Sequence, residues 1–214
     1  QTVRFKPPPY NSDIGWRVEF RVMEVMPTPF ENAAFSIFLI LFVKATLKYG
    51  TVMYAPMSLV DQNMGRAHRR DPCSQTYHFR ANIHAKSITE MYVCEMTIDE
   101  IFNGKDLSMG GRFEGLIPFV QKYVAEENLN DPKIAAYLKF ISLRASGQLM
   151  TTANLFRKFI VEHPDYRHDS RVTQKIGKDL ASFASHLAET QVWPDYLPAE
   201  LTGGTAKPFV YGAW

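Results

Sequence analysis

Arg17, Glu19 and Arg21 alternate with Val18, Phe20 and Val22 in the stretch WRVEFRV. On an extended strand, successive side chains point to opposite faces, so one face is apolar and the other reads Arg, Glu, Arg. Residues two apart on that face have Cα atoms about 6 to 7 Å from one another. Two readings of such a face stand side by side. In one it lines an ionic cavity, where the carboxylate holds Mg²⁺ and an arginine neutralises phosphoryl oxygens. In the other it is the solvated side of a sheet, making cross-strand ion pairs worth on the order of 0 to 1 kcal/mol. Arg4 and Lys6, two apart in RFK, repeat the charged alternation upstream and are candidates for the same cavity.

These residues need a strand, and the alternation extends it from about Ile14 to Val25. Pro7 to Pro9 form a stiff extended run ahead of it. A helix follows: Thr28 can cap it, Pro29 suits the first helical position, and Glu31 completes a capping box. It should stop near Tyr49 and Gly50. Beyond that point the chain reads as mostly helical. Ser58 is a candidate cap and Pro72 a stop, and Thr97 with Glu100 forms a second capping box before Asn103 and Gly104. Pro118 marks a helix start, and Asp131 and Pro132 open a helix that ends at Gly147. There Ile134, Tyr137, Leu138, Ile141 and Leu143 make an apolar stripe at helical spacing. TTANLFRKFIVEHPDY, stopped by Pro164, and VTQKIGKDLASFASHLAET supply two more helices, and the tail from Glu200 to Trp214 reads as irregular. The class is α+β, predominantly helical in this segment. Partners for the charged strand are expected in YHFRANI, in EMYVCEM, or in sequence upstream.

Composition narrows the function. A chain of 214 residues, 46% hydrophobic and 21% charged, holds one domain or a large piece of one. Lysine plus arginine number 24 against 22 acids, and that near-balance argues against a dedicated nucleic-acid binder. Cys73 and Cys94 make neither a C-x-x-C pair nor a disulfide framework, so the chain reads as cytoplasmic with reduced thiols. The six histidines show no metal-ligand spacing. AAFSIFLILFV, from Ala33 to Val43, is shorter than the ~20 residues that span a bilayer and reads as a core helix, with no membrane partner. RAHRRD, from Arg66 to Asp71, is either a solvated helix end or a phosphate contact, the former favoured by the helix dipole. The chain opens on Gln1, with no methionine and no signal segment, in what reads as mid-strand. That start leads us to expect a piece of something longer.

Taken in order, RFKPPP, NSDIGWRVEFR, FENAAF, VDQNM, FNGK, GLIP, RASGQLMT and FIVEHPDYRHDS resemble the catalytic subunits of the eukaryotic-type glutamate–cysteine ligase family. The likeness runs from Arg4 to about Ser170 and loosens after Thr173. It implies ATP-dependent joining of the glutamate γ-carboxylate to the cysteine amine through a γ-glutamyl phosphate, the first step of glutathione synthesis. It also implies a fold related to glutamine synthetase, with residues 1–50 ending the catalytic sheet and its core helix and residues 51–214 forming a helical region. Within the WRVEFR motif the resemblance makes Glu19 a Mg²⁺ ligand and Arg21 a contact to the transferring phosphoryl group. The matching RFK makes Arg4 and Lys6 candidates for nucleotide or substrate contact, and Arg17 joins them by sharing the face. Val22 stands where the family has proline and Pro29 where it tends to have an acid, and neither change touches the ionic face. The family's remaining metal carboxylates lie upstream of anything present, so the chain should carry one wall of a site and be inactive alone. The partners implied are glutamate, cysteine, ATP and, in some members, a modifier subunit. The alternative is a catalytically inactive helical binding module, for example one that docks such a subunit.

Overall fold

The computed structural model describes residues 3–212. Gln1, where the chain opens, and Ala213 and Trp214, the end of the expected irregular tail, lie outside the described residues. Strand β1 (Val3–Lys6) pairs antiparallel with β2 (Arg17–Phe20). The register sets Arg4 opposite Glu19 and Lys6 opposite Arg17, with Val3 opposite Phe20 and Phe5 opposite Val18 on the other face.

Two expectations are corrected here. The charged strand covers four residues rather than the span from Ile14 to Val25, and its partner is the RFK segment of the same chain. The physical reason is the proline run: Pro7 to Pro9 have no N–H to donate, so β1 ends at Lys6 and can pair only four residues. The stretches proposed as partners pair with each other instead, as β3 (Thr76–Arg80) and β4 (Val93–Thr97).

Helix α1 (Pro29–Tyr49) begins with the expected capping box between Thr28 and Glu31 and ends at Gly50 in the left-handed region. At 21 residues it is long and apolar enough to cross a membrane by length and composition. Here Ala34, Phe38, Leu41 and Ala45 pack inward, while Ile40 and Leu47 are more than half exposed. Helix α2 (Met57–Ala67) starts one residue ahead of the expected cap. Pro56 occupies the cap position without a side-chain hydrogen bond, and Ser58 lies inside the first turn. The helix also stops before Pro72, which instead opens a single 3₁₀ turn, Pro72–Ser74.

After β4, α3 (Ile98–Asn103) carries the second capping box, Thr97 with Glu100. A short ribbon, β5 (Lys105–Asp106) with β6 (Arg112–Phe113), leads into α4 (Leu116–Glu126). Gly115 is required at that junction. Its φ is +95°, and a Cβ there would stand 2.5 Å from the Gly104 backbone nitrogen. Helices α5 (Pro132–Ala145), α6 (Thr152–Val161) and α7 (Gln174–Thr190) are capped by Asp131, Thr151 and Thr173, and the short α8 (Ala199–Thr202) closes the order.

Within the expected stripe on α5, Leu138 and Ile141 are buried and Ile134, Tyr137 and Leu143 pack against them. These side chains join α1, α4 and α7 in one hydrophobic cluster that includes Val120, Phe140 and Phe183, all fully buried. Helices therefore build the body, and the described strands occur only as two-stranded ribbons. The class is α+β.

Candidate functional site

The β1–β2 ribbon turns the alternation of WRVEF and RFK into two faces, both wet. Phe5 is 76% exposed and Val18 is 48% exposed on the apolar side. The other side carries Arg4, Lys6, Arg17 and Glu19, with Arg21 one residue beyond the strand. The structure thus brings all five sequence-predicted residues together. The Glu19 carboxylate is the hub. Its Oε1 accepts from Arg21 Nε at 2.5 Å, and its Oε2 is paired with the Lys6 ammonium. Arg17 turns aside to donate from Nη2 to the Pro7 carbonyl at 3.2 Å.

Four cationic side chains and one carboxylate on the same ribbon leave a net positive face, suited to phosphate oxygens. The Lys6 ammonium first, and the Arg21 guanidinium second, hold the Glu19 carboxyl at about 2, below its ordinary 4.5. The carboxylate is therefore charged throughout the neutral range, as a metal ligand must be. Its fit to Mg²⁺ is partial. Glu19 can give one or two of the roughly six oxygens such an ion takes. Among the described residues, no three of His, Cys, Asp and Glu come together as a metal-holding group.

A second cluster, beyond the reach of the sequence reading, fixes the junction between ribbon and body. Glu31 is fully buried. Its Oε1 accepts from the Tyr196 hydroxyl at 2.5 Å and from Arg144 Nη2 at 3.2 Å, and its Oε2 accepts from the Thr28 hydroxyl at 2.8 Å. The Arg144 guanidinium lies between the Phe140 and Tyr196 rings, 4.8 and 4.7 Å from their centroids. Burial first, and the Glu31 carboxylate second, push the Tyr196 hydroxyl upward, so it remains a donor. Asn32 accepts from Met26 N at 3.0 Å and donates to the Met26 and Thr28 carbonyls, pinning the turn into α1. Gln191 accepts from Phe30 N at 3.2 Å, covering an open donor of the first helical turn.

FENAAF and RASGQLMT therefore meet around one buried charge. Partners 113 and 165 residues apart leave no local signal, and only the capping box hinted at Glu31. FIVEHPDY has a similar explanation. His163 Nδ1 accepts from Asp165 N at 3.1 Å within the expected turn, and its Nε2 donates to Asp179 at 3.0 Å, both side chains being about 1% exposed. Cys73 and Cys94 are unpaired and half-buried, and burial raises both thiols, the reverse of what a nucleophile needs.

Comparison with known proteins covers the same ground. The family model described as glutamate-cysteine ligase matches residues 1–187. The chain is 44% identical over 187 residues to the glutamate–cysteine ligase of Schizosaccharomyces pombe, covering 84% of this chain and 28% of that protein. It is 42% identical over 207 residues to the Homo sapiens glutamate–cysteine ligase catalytic subunit, covering 88% of this chain and 32% of the other. With the Dictyostelium discoideum glutamate–cysteine ligase the identity is 43% over 187 residues, covering 84% and 29%. The chain thus spans about a third of the length of the curated relatives it matches.

Proposed function

The chain belongs to the glutamate–cysteine ligase family, and from that premise we propose that it supplies one wall of a site that joins glutamate to cysteine at the expense of ATP. In the proposed reaction a glutamate γ-carboxylate oxygen attacks the γ-phosphorus of ATP, and ADP leaves. The cysteine amine then attacks the acyl carbon of the γ-glutamyl phosphate. Phosphate departs with the oxygen it took from glutamate, and the amine gives up a proton. Such chemistry is mostly positioning and charge neutralisation. The product is the precursor of glutathione, and the setting is cytoplasmic.

The observation that carries this reading is the gathering of Arg4, Lys6, Arg17, Glu19 and Arg21 on one ribbon. Arg21 stabilises charge on the transferring phosphoryl oxygens, and Arg4, Lys6 and Arg17 contact the nucleotide or substrate. Glu19 would be one of several ligands to Mg²⁺, which would supply positive charge to neutralise the phosphate oxygens. In the structure described here the Glu19 carboxylate is held by Lys6 and Arg21. Lys6, on giving up Glu19 to a metal, would be free to contact the nucleotide. The remaining carboxylates belong to the part of the family's length outside this chain. Within a glutamine synthetase-like arrangement, residues 1–50 close the catalytic sheet and residues 51–214 form the helical support, on which a modifier subunit can dock.

The test is a chimera: the fission-yeast ligase with residues 1–187 of this chain in place of its own matching segment. Phosphate release that depends on both glutamate and cysteine is expected. Glu19→Gln and Arg21→Ala should each lower it at least about a hundredfold, the scale of losing one electrostatic contact to a transition state. Near-normal turnover in either variant overturns the site assignment. A folded chimera that is inactive with the native segment, yet still captures a modifier subunit, favours the binding-module reading.

A further inference from the structure

The end of the chain lies beyond the family match and takes no part in the ribbon's chemistry. It turns at Gly203, whose φ is +69°, and at Gly204, where a Cβ would stand 2.7 Å from Val192 Cγ2 and 2.8 Å from the Thr190 carbonyl. Only glycine makes this close turn off the end of α8, against the chain that leaves α7. Residues 205–212 then run back over α6 and α7 as a strap.

The segment has no regular structure and closes in a turn at Tyr211 and Gly212; Phe209 is half-buried in the groove, and Tyr211, 43% exposed, packs on its rim. The floor is a ready-made aromatic surface, with Phe159 stacked on Phe183 at 4.7 Å and Trp193 edge-on to Phe183 at 4.7 Å. Phe209 meets Phe159 and Phe183 at 5.8 and 5.4 Å, and Tyr211 meets Phe159 and His163 at 5.5 and 5.0 Å.

Main-chain recognition is equally specific. His186 Nε2 donates to the Lys207 carbonyl at 3.0 Å, and Gly212 N donates to Asp179 Oδ1 at 3.2 Å. Asp179 is about 1% exposed, with its other oxygen held by His163. Without the strap, a buried carboxylate oxygen faces the groove lacking this donor, which marks a place built for a backbone N–H.

The attachment is nevertheless light. Residues 205–208 are exposed, and hollows of about 410 and 530 Å³ flank the strap, the first against α7 and the second against the 192–195 turn. Two aromatic anchors and few main-chain bonds belong to the low end of local stability. Phe159 and Phe183 of the floor belong to the buried core, and Phe209 packs against it. We propose that the α6–α7 groove is a docking site for a Phe-x-Tyr segment, filled by the chain's own residues 205–212 as a releasable strap. Aromatic contacts to the floor and main-chain bonds to His186 and Asp179 share the recognition.

Hydrogen–deuterium exchange read by mass spectrometry on the full chain tests this. The Gly212 amide, held by Asp179, should exchange at least about tenfold faster than the amides of the α7 interior, because the strap opens without global unfolding. Phe209→Ala should speed exchange along the groove-facing turns of α6 and α7 and leave α1 and α5 unchanged. A synthetic peptide of residues 203–212, added in excess to Phe209→Ala, should restore that protection, and the same peptide with Phe209 and Tyr211 both replaced by alanine should not. Strap and α7 exchanging at one common rate would overturn the proposal, as would failure of the native peptide to protect the groove. If Phe209→Ala does not fold, the exchange order in the unaltered chain decides.

Discussion

Replacing Arg144 by methionine removes a guanidinium from the most enclosed charge in the molecule. Methionine keeps an unbranched stem of suitable length between the Phe140 and Tyr196 rings, so the packing loss is small. The electrostatic loss is not. Glu31, with no exposed surface, is left with two hydroxyl donors and no cation. Breaking a buried ion pair from one side costs about 3–5 kcal/mol, because the surviving charge stays desolvated. For a chain of this size, each kcal/mol lowers Tm by roughly 2–4 °C, so a fall of ~6–20 °C is expected. Urea unfolding followed by far-UV circular dichroism measures it, together with Glu31→Gln and the double variant. Once Glu31 is neutral, Arg144→Met should do less harm, so the double variant should lose less than the sum of the singles by about 1 kcal/mol or more. A loss below about 1 kcal/mol for Arg144→Met, or strict additivity in the double, would refute the reasoning that the pair is a coupled buried charge.

The Glu19 carboxyl should titrate in the unliganded chain with a midpoint near 2, followed by its ¹³C resonance, and Lys6→Met should bring it back toward 4.5. A depressed folded-state value means that the ion pair stabilises the fold above the ordinary carboxylate range and is lost as pH falls from about 4.5 toward 2. A midpoint unchanged by Lys6→Met would remove Lys6 as the cause. Gly115→Ala should destabilise by at least the ~1–3 kcal/mol of a strained left-handed residue, since a Cβ there also meets backbone at 2.5 Å. Thermal unfolding checks this, and an unchanged Tm would show that the α3–α4 junction can relax.

Helix ends were the most legible part of the sequence, because caps are local chemistry. Thr28 with Glu31, Thr97 with Glu100, and Asp131 all act where their spacing places them. Ser58 misled for an equally local reason: Pro56 already holds the backbone at the cap position. The ionic face was legible too, since alternation survives whatever the strand pairs with. Its partner was not, because pairing joins residues that no periodicity connects, and the proline run that shortens β1 also shortens β2. Arg144, Tyr196 and Asp179 were invisible for the same reason. Their roles come from side chains separated by long stretches of chain that only the packed helices bring together.

The most direct measurement on the central claim follows an oxygen atom. In the fission-yeast chimera carrying residues 1–187 of this chain, glutamate labelled with ¹⁸O in its γ-carboxylate is supplied with cysteine and ATP. If the ribbon of Glu19 and Arg21 forms a wall of a γ-glutamyl phosphate site, one labelled oxygen appears in each phosphate released, and Glu19→Gln abolishes the transfer. Unlabelled phosphate from a turning-over enzyme would contradict the acyl-phosphate route, and full transfer in Glu19→Gln would contradict the place given to the ribbon.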